Sequence, residues 1–164
     1  MLRRMALVER LDGMLFGEDQ PCFGCGPKNP LGFKLRYQED GEALVTCFVP
    51  GPHHQGPLGV MHGGLVATVA DETAGWVVIA KLGKFGFTTS FQARYRRPVR
   101  IGLPTECRGW ITKQSRRVVR VHTATSQAGQ ECSEADFTFA ILARRAAEQL
   151  MGVALPEQWG RFCR

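Results

Sequence analysis

The residues best suited to chemistry are a histidine, two glycines directly after it, and an acid nine positions beyond the histidine. In Gly59-Val60-Met61-His62-Gly63-Gly64-Leu65-Val66-Ala67-Thr68-Val69-Ala70-Asp71 an apolar, helix-forming run begins at the glycine pair. The first N–H groups of a helix have no partner within it, and glycine lets a ligand come close to them. Free donors at the positive end of a helix suit an oxyanion that develops during acyl transfer. Asp71 stands two turns further on, where desolvation favours the neutral carboxyl unless donors hold it. It is a candidate general base or nucleophile. Singly, a tight turn, a loop histidine and a solvated acid would explain these residues. Together they make the parts of an acyl-transfer site.

Nine residues of helix rise roughly 13 Å, so a carbonyl held beside Gly63 cannot touch Asp71 of the same helix. If both serve one reaction they come from different chains. The site then lies at a two-fold interface that builds two copies.

The elements that must position these residues follow from hydrophobic periodicity. Over residues 63–80 only Asp71 and Glu72 are charged; a helix apolar nearly all round is buried. Its small residues Gly63, Gly64, Ala67, Ala70, Ala74 and Gly75 leave room for a sheet to wrap closely. Strands are expected at 33–37, 42–50, 87–95, 105–113, 117–126 and from about 134 to 141, with a short helix at 144–151. In 87–95, Phe87, Thr89, Phe91, Ala93 and Tyr95 should share one face, and Thr88, Ser90, Gln92 and Arg94 the other. Residues 1–20 read as an amphipathic helix, and 21–32, rich in Pro and Gly, as a loop. The reading is one α+β domain over 1–164: N-terminal helix and Cys/Gly/Pro loop (1–30), core (31–144) and C-terminal extension (145–164). In it an antiparallel sheet of about six strands wraps a long central helix.

Length and composition agree. A chain of 164 residues, 44% hydrophobic and 22% charged, suits one globular core. The apolar run from Leu65 to Leu82 carries Asp71, Glu72 and Lys81, which excludes a membrane span. The N-terminus lacks the sustained apolar stretch of a secretory signal. The six cysteines, at 22, 25, 47, 107, 132 and 163, are therefore read as reduced and cytoplasmic. The net charge of +6 favours anionic partners. Nucleic acid is not among those expected, because the basic residues are scattered and no aromatic-basic motif accompanies them. The turn Cys22-x-x-Cys25-Gly26 has the form of a metal knuckle. A tetrahedral zinc site needs about four ligands and a second Cys pair is absent. His53 and His54 are adjacent and poorly placed to complete it, so no metal is expected.

His62-Gly63-Gly64 with Asp71, then Thr88-Thr89-Ser90 and Tyr95-Arg96-Arg97-Pro98, resembles the hotdog-fold acyl-CoA thioesterases of the phenylacetate-pathway and thioesterase-superfamily-member type. Cys22 to Pro27 is similar to the Cys-Phe-x-Cys-Gly-Pro start of a subset of them, and the likeness runs from about Cys22 to Leu142. The resemblance implies hydrolysis of acyl-CoA thioesters with CoA as part of the substrate and no separate cofactor, in a homodimer or homotetramer. Asp71 would be the catalytic carboxylate. Gly63, with Gly64, would supply the oxyanion donor, and His62 would help orient the thioester. Thr88 would hold the attacking water, or Thr89 if the register slips by one. Where some members have an Asn six residues before the His, this chain has Gly56, so Gln55 or His54 would contact substrate instead. Arg96 and Arg97, beside Arg94 and Arg100, are candidates to meet the CoA phosphates. Phe85, Phe87, Trp76 and Met61 are candidates for the acyl pocket. A non-catalytic acyl-CoA binding or sensing protein is the alternative.

Overall fold

The computed structural model describes residues 11–163. The strands are β1 (Leu11–Asp12), β2 (Arg36–Asp40), β3 (Ala43–Phe48), β4 (Gly86–Tyr95), β5 (Thr105–Gln114), β6 (Val118–Gln127) and β7 (Gln130–Ile141). The helices are α1 (Gly63–Leu82), α2 (Arg144–Met151) and α3 (Glu157–Gly160). The strands form one sheet in the order β1-β2-β3-β5-β6-β7-β4, every neighbouring pair antiparallel. The expected six strands are all present, and the two-residue β1 is a seventh.

Helix α1 is the centre of the molecule, and residues pointing in several directions from it are buried. Val69, Ala70, Thr73, Ala74, Trp76, Val77 and Val78 are buried, as are Leu44 of β3, Val119 and Val121 of β6, and Phe137 and Phe139 of β7. Trp76 stacks on Tyr37 at 5.3 Å and meets the edge of Phe16 at 5.6 Å. The sheet meets the helix tightly at one of its own glycines. A β-carbon on Gly109 would stand 3.0 Å from Val77 Cγ2 and 3.3 Å from Thr73 Cγ2. The helix starts at His62, whose Nδ1 accepts the Gly64 N–H at 3.0 Å. It ends at Gly83 in the left-handed conformation, with φ +59.

Three local expectations are corrected. Residues 11–20 are not a continuous helix. Leu11 and Asp12 pair with Tyr37 and Arg36, Asp12 accepts the Met14 N–H at 3.0 Å to cap a single 3-10 turn, and Gly17 at φ +105 ends it. The helix expected over 1–10 lies outside the described residues. The strand expected from Phe33 begins at Arg36, because Lys34 takes φ +54, which an extended strand cannot contain. Finally, β4 does not alternate regularly. Thr88 pairs with Phe139 and Ser90 with Thr138, so Thr89 is an extra, bulged residue. The bulge returns Phe91 to the helix-facing side, where it stacks on Phe137 at 5.2 Å, the same side as Thr88. Phe87, expected beside Phe91, instead packs at the C-terminal cluster of Ala147, Leu155 and Cys163.

The terminal segments close over the end of α1. Phe85 N–H donates to Phe162 O at 2.7 Å, and Trp159 Nε1 donates to Phe16 O at 3.3 Å. No described helix is long and apolar enough to cross a membrane.

Candidate active site

Asp71 projects from the middle of α1 and accepts a 2.6 Å hydrogen bond from Thr88 Oγ1 of β4. The bulge at Thr89 makes this contact possible. It leaves Thr88 facing the helix, while the Thr89 hydroxyl is spent on Thr138 O at 3.0 Å. Of the two threonines read from the sequence, the structure places Thr88 at the acid. Burial on the apolar helix pushes the Asp71 carboxyl above the usual carboxylate range, and the Thr88 hydrogen bond partly opposes that. Asp71 and Thr88 open into a cavity of about 190 Å³ walled by Gly75, Trp76, Phe85 and Phe139. Trp76 and Phe85 were expected at such a pocket. Phe16 and Trp159, contributed by the terminal segments, were not, since nothing local in the sequence shows which distant segment will cover a given turn of α1.

Gly63 lies elsewhere. With Pro57, Val60, Met61, Tyr95 and Arg97 it lines a second cavity of about 330 Å³. Tyr95 Oη donates to Gly63 O at 2.8 Å. Since His62 Nδ1 occupies the Gly64 N–H, the amide suited to an oxyanion is that of Gly63, the first helical residue. Within one chain, then, the carboxylate and the helix N-terminus serve different cavities, in keeping with the rise of the helix between them.

The remaining expected contacts are committed to the fold. Gln55 donates from Nε2 to Pro52 O at 3.0 Å and accepts the Gly59 N–H at 2.7 Å, so it struts the loop before α1. His54 Nδ1 accepts the Gly51 N–H at 3.0 Å, and its ring lies 4.5 Å from that of Phe33. Burial and the neighbouring His53 push its pKa below the ordinary histidine value. Arg96 is held between Glu131 and Glu134, and Arg97 Nη1 donates to Glu131 O at 3.0 Å. Arg96 and Arg97 both border the second cavity.

One neighbour of Asp71 was not singled out in the sequence. Glu72 reaches under the Cys22–Cys25 turn, its carboxylate oxygens 3.5 and 3.4 Å from Cys22 Sγ. Trp76 Nε1 donates to Glu72 Oε1 at 3.1 Å. Burial pushes the Glu72 carboxyl up to about 7. The Cys25 thiol and the Cys25 and Gly24 amides hydrogen-bond Cys22 and draw its thiol down to about 5, against the effect of burial, while Cys25 is driven upward.

An antiparallel sheet curled about one long helix is the hotdog fold. A profile of the thioesterase superfamily matches residues 58–132. Among curated relatives, an acyl-coenzyme A thioesterase THEM4 of Xenopus laevis is 33% identical over 74 residues, which is 44% of this chain and 33% of the relative. The chain thus matches about a third of that relative's length. A crystal structure of a thioesterase superfamily protein superposes with a TM-score of 0.68 at 26% identity, covering 82% of this chain and 72% of the other. A hypothetical thioesterase of Streptococcus pneumoniae TIGR4, solved with coenzyme A, gives 0.61 at 21% identity, covering 65% of this chain and 87% of that one.

Proposed function

We propose that this protein hydrolyses acyl-CoA thioesters to the free acid and CoA, in sites shared between two copies of the chain. The observation that carries the reading is the half-buried Asp71, hydrogen-bonded to Thr88 at the mouth of an apolar cavity. The name of the Xenopus relative, an acyl-coenzyme A thioesterase, and the coenzyme A held by the Streptococcus structure support the substrate class.

Strand β4 supports the shared site. It is an edge of the sheet, and Phe91 and Tyr95 along it are 52% and 55% exposed. An exposed edge offers its amides and carbonyls to another strand. Antiparallel pairing of two β4 edges about a two-fold axis near Phe91 and Gln92 would set Thr88 of one chain opposite Tyr95 of the other. Asp71 would thereby meet the Gly63 amide of the second chain, and the two cavities would merge into a tunnel. A pair of such dimers would make a tetramer with the same sites.

In this scheme the thioester carbonyl accepts the Gly63 N–H of one chain, and a water held by Thr88 and Asp71 of the other attacks the carbonyl carbon. Asp71 takes a proton from that water as the C–O bond forms. The tetrahedral intermediate collapses with cleavage of the C–S bond, and the proton returns to the departing CoA sulfur. Attack by the Asp71 carboxylate itself, followed by hydrolysis of the anhydride, is the same arrangement used covalently. Water, one carboxylate and one amide suffice, so no cofactor enters the scheme. Six unbridged cysteines suit a reducing cytoplasm.

Replacing Asp71 with Asn tests the reading, since Asn keeps the side chain's size and can still accept from Thr88. We expect kcat against a panel of short, long and aromatic acyl-CoAs to fall by about 10²–10⁴ with the melting temperature little changed. Wild-type protein that binds acyl-CoA and turns over none of the panel would favour a sensing role.

A further inference from the structure

We propose that Cys22, Cys25 and Glu72 form a binding site for one thiophilic divalent cation, of the zinc type. The ion would clamp the 20–27 loop to helix α1 and so fix one wall of the Asp71 cavity. The inference is independent of the hydrolase reading, because no step of that chemistry passes through the ion.

The donor set is two thiols and a carboxylate, which bind zinc as thiolates and an anionic oxygen. Their ligand atoms lie within 4.8 Å of one another. Zinc–sulfur and zinc–oxygen bonds of about 2.3 and about 2.0 Å at a tetrahedral angle place sulfur and oxygen about 3.5 Å apart. Cys22 Sγ stands at 3.4 and 3.5 Å from the two Glu72 oxygens, so an ion could enter with little movement of either side chain.

The loop already has the shape of a metal knuckle. Gly26 N–H closes the turn on Cys22 O at 2.8 Å. Gly24 is pressed on the third ligand, since a β-carbon there would fall 2.4 Å from Glu72 Cγ and Cδ. A second rank of donors orients the ligands. Trp76 Nε1 holds Glu72 Oε1 at 3.1 Å, and Gln20, itself buried, donates from Nε2 to Cys25 Sγ at 3.5 Å. The sequence showed only the two cysteines. The third ligand comes from 50 residues away, and His53 and His54 have no part in the cluster. All three ligands border the 190 Å³ cavity, which leaves the fourth coordination position on its side, within reach of water.

The test uses the full-length protein isolated without chelator, its metal content measured by mass spectrometry, followed by cobalt(II) titration of the metal-stripped form. We expect about one zinc per chain and a thiolate-to-cobalt charge-transfer band that added zinc abolishes. Cys25→Ser should lose most of that band. Glu72→Gln, which keeps the acceptor for Trp76, should weaken cobalt binding by more than about tenfold. Asp71→Asn should leave the spectrum unchanged while removing hydrolysis, which separates this proposal from the previous one. A wild-type protein with native circular dichroism and no thiolate–cobalt band would overturn it. So would unchanged affinity in Glu72→Gln, or a Cys22–Cys25 disulfide in place of metal in protein isolated without reductant.

Discussion

At the scale of single residues, the site depends on where desolvation falls. Asp71 and Glu72 are consecutive acids on one apolar helix, yet they face different partners, a hydroxyl and a pair of thiols. The rotation of about 100° between successive helical residues sends adjacent side chains to different walls. His54 illustrates a residue whose charge state holds structure. Its Nδ1 accepts the Gly51 N–H, a bond that protonation of that nitrogen removes, and its folded-state pKa lies below the ordinary value. The unfolded chain therefore binds the proton first, near pH ~6.5. The stability this residue contributes is fully present above that pH and is lost as pH falls from there toward the lower folded-state value. Thermal melts between pH ~7.5 and ~5 should show a steeper loss in wild type than in His54→Phe, which keeps the ring against Phe33 but cannot titrate. Equal slopes in the two proteins would refute this assignment.

At the scale of elements, the packing of α1 on the sheet and the bulge in β4 set the geometry. The small residues of α1 leave room for the sheet, and the sheet also makes room for the helix, at Gly109. Gly109→Ala should push against Val77 Cγ2 and destabilise the protein by about 1–3 kcal/mol, read as a melting temperature lower by several degrees. A variant as stable as wild type would mean that Val77 can yield without cost. The bulge is equally decisive, for in a regularly alternating strand Thr88 and Phe91, three residues apart, would face opposite sides.

At the scale of the whole molecule, the carboxylate and the oxyanion donor lie in separate cavities of one chain, and the proposed function requires a second chain to unite them. Complementation tests this directly. Asp71→Asn and a variant with Gly63 replaced by Pro, which has no amide proton, should each be nearly inactive alone. Co-refolding equal amounts should restore activity to about a quarter of wild type, because half of the dimers are mixed and each carries one intact site. A mixture no more active than its parents would show that each site is built within a single chain.

Much of this was legible in the sequence. The apolar run of α1, the strands flanking it and the spacing of His62, Gly63 and Asp71 are local patterns, and local periodicity records which face of an element is buried. The sequence also showed, from helix rise alone, that Gly63 and Asp71 of one chain cannot meet. What it could not show depends on contacts between distant segments. The reach of Glu72 to Cys22, the covering of the cavity by Phe16 and Trp159, and the engagement of Arg96 by Glu131 and Glu134 were decided by the tertiary structure. No local spacing encodes them, because they arise only when the sheet closes on the helix and brings residues 35 or more positions apart into hydrogen-bonding distance.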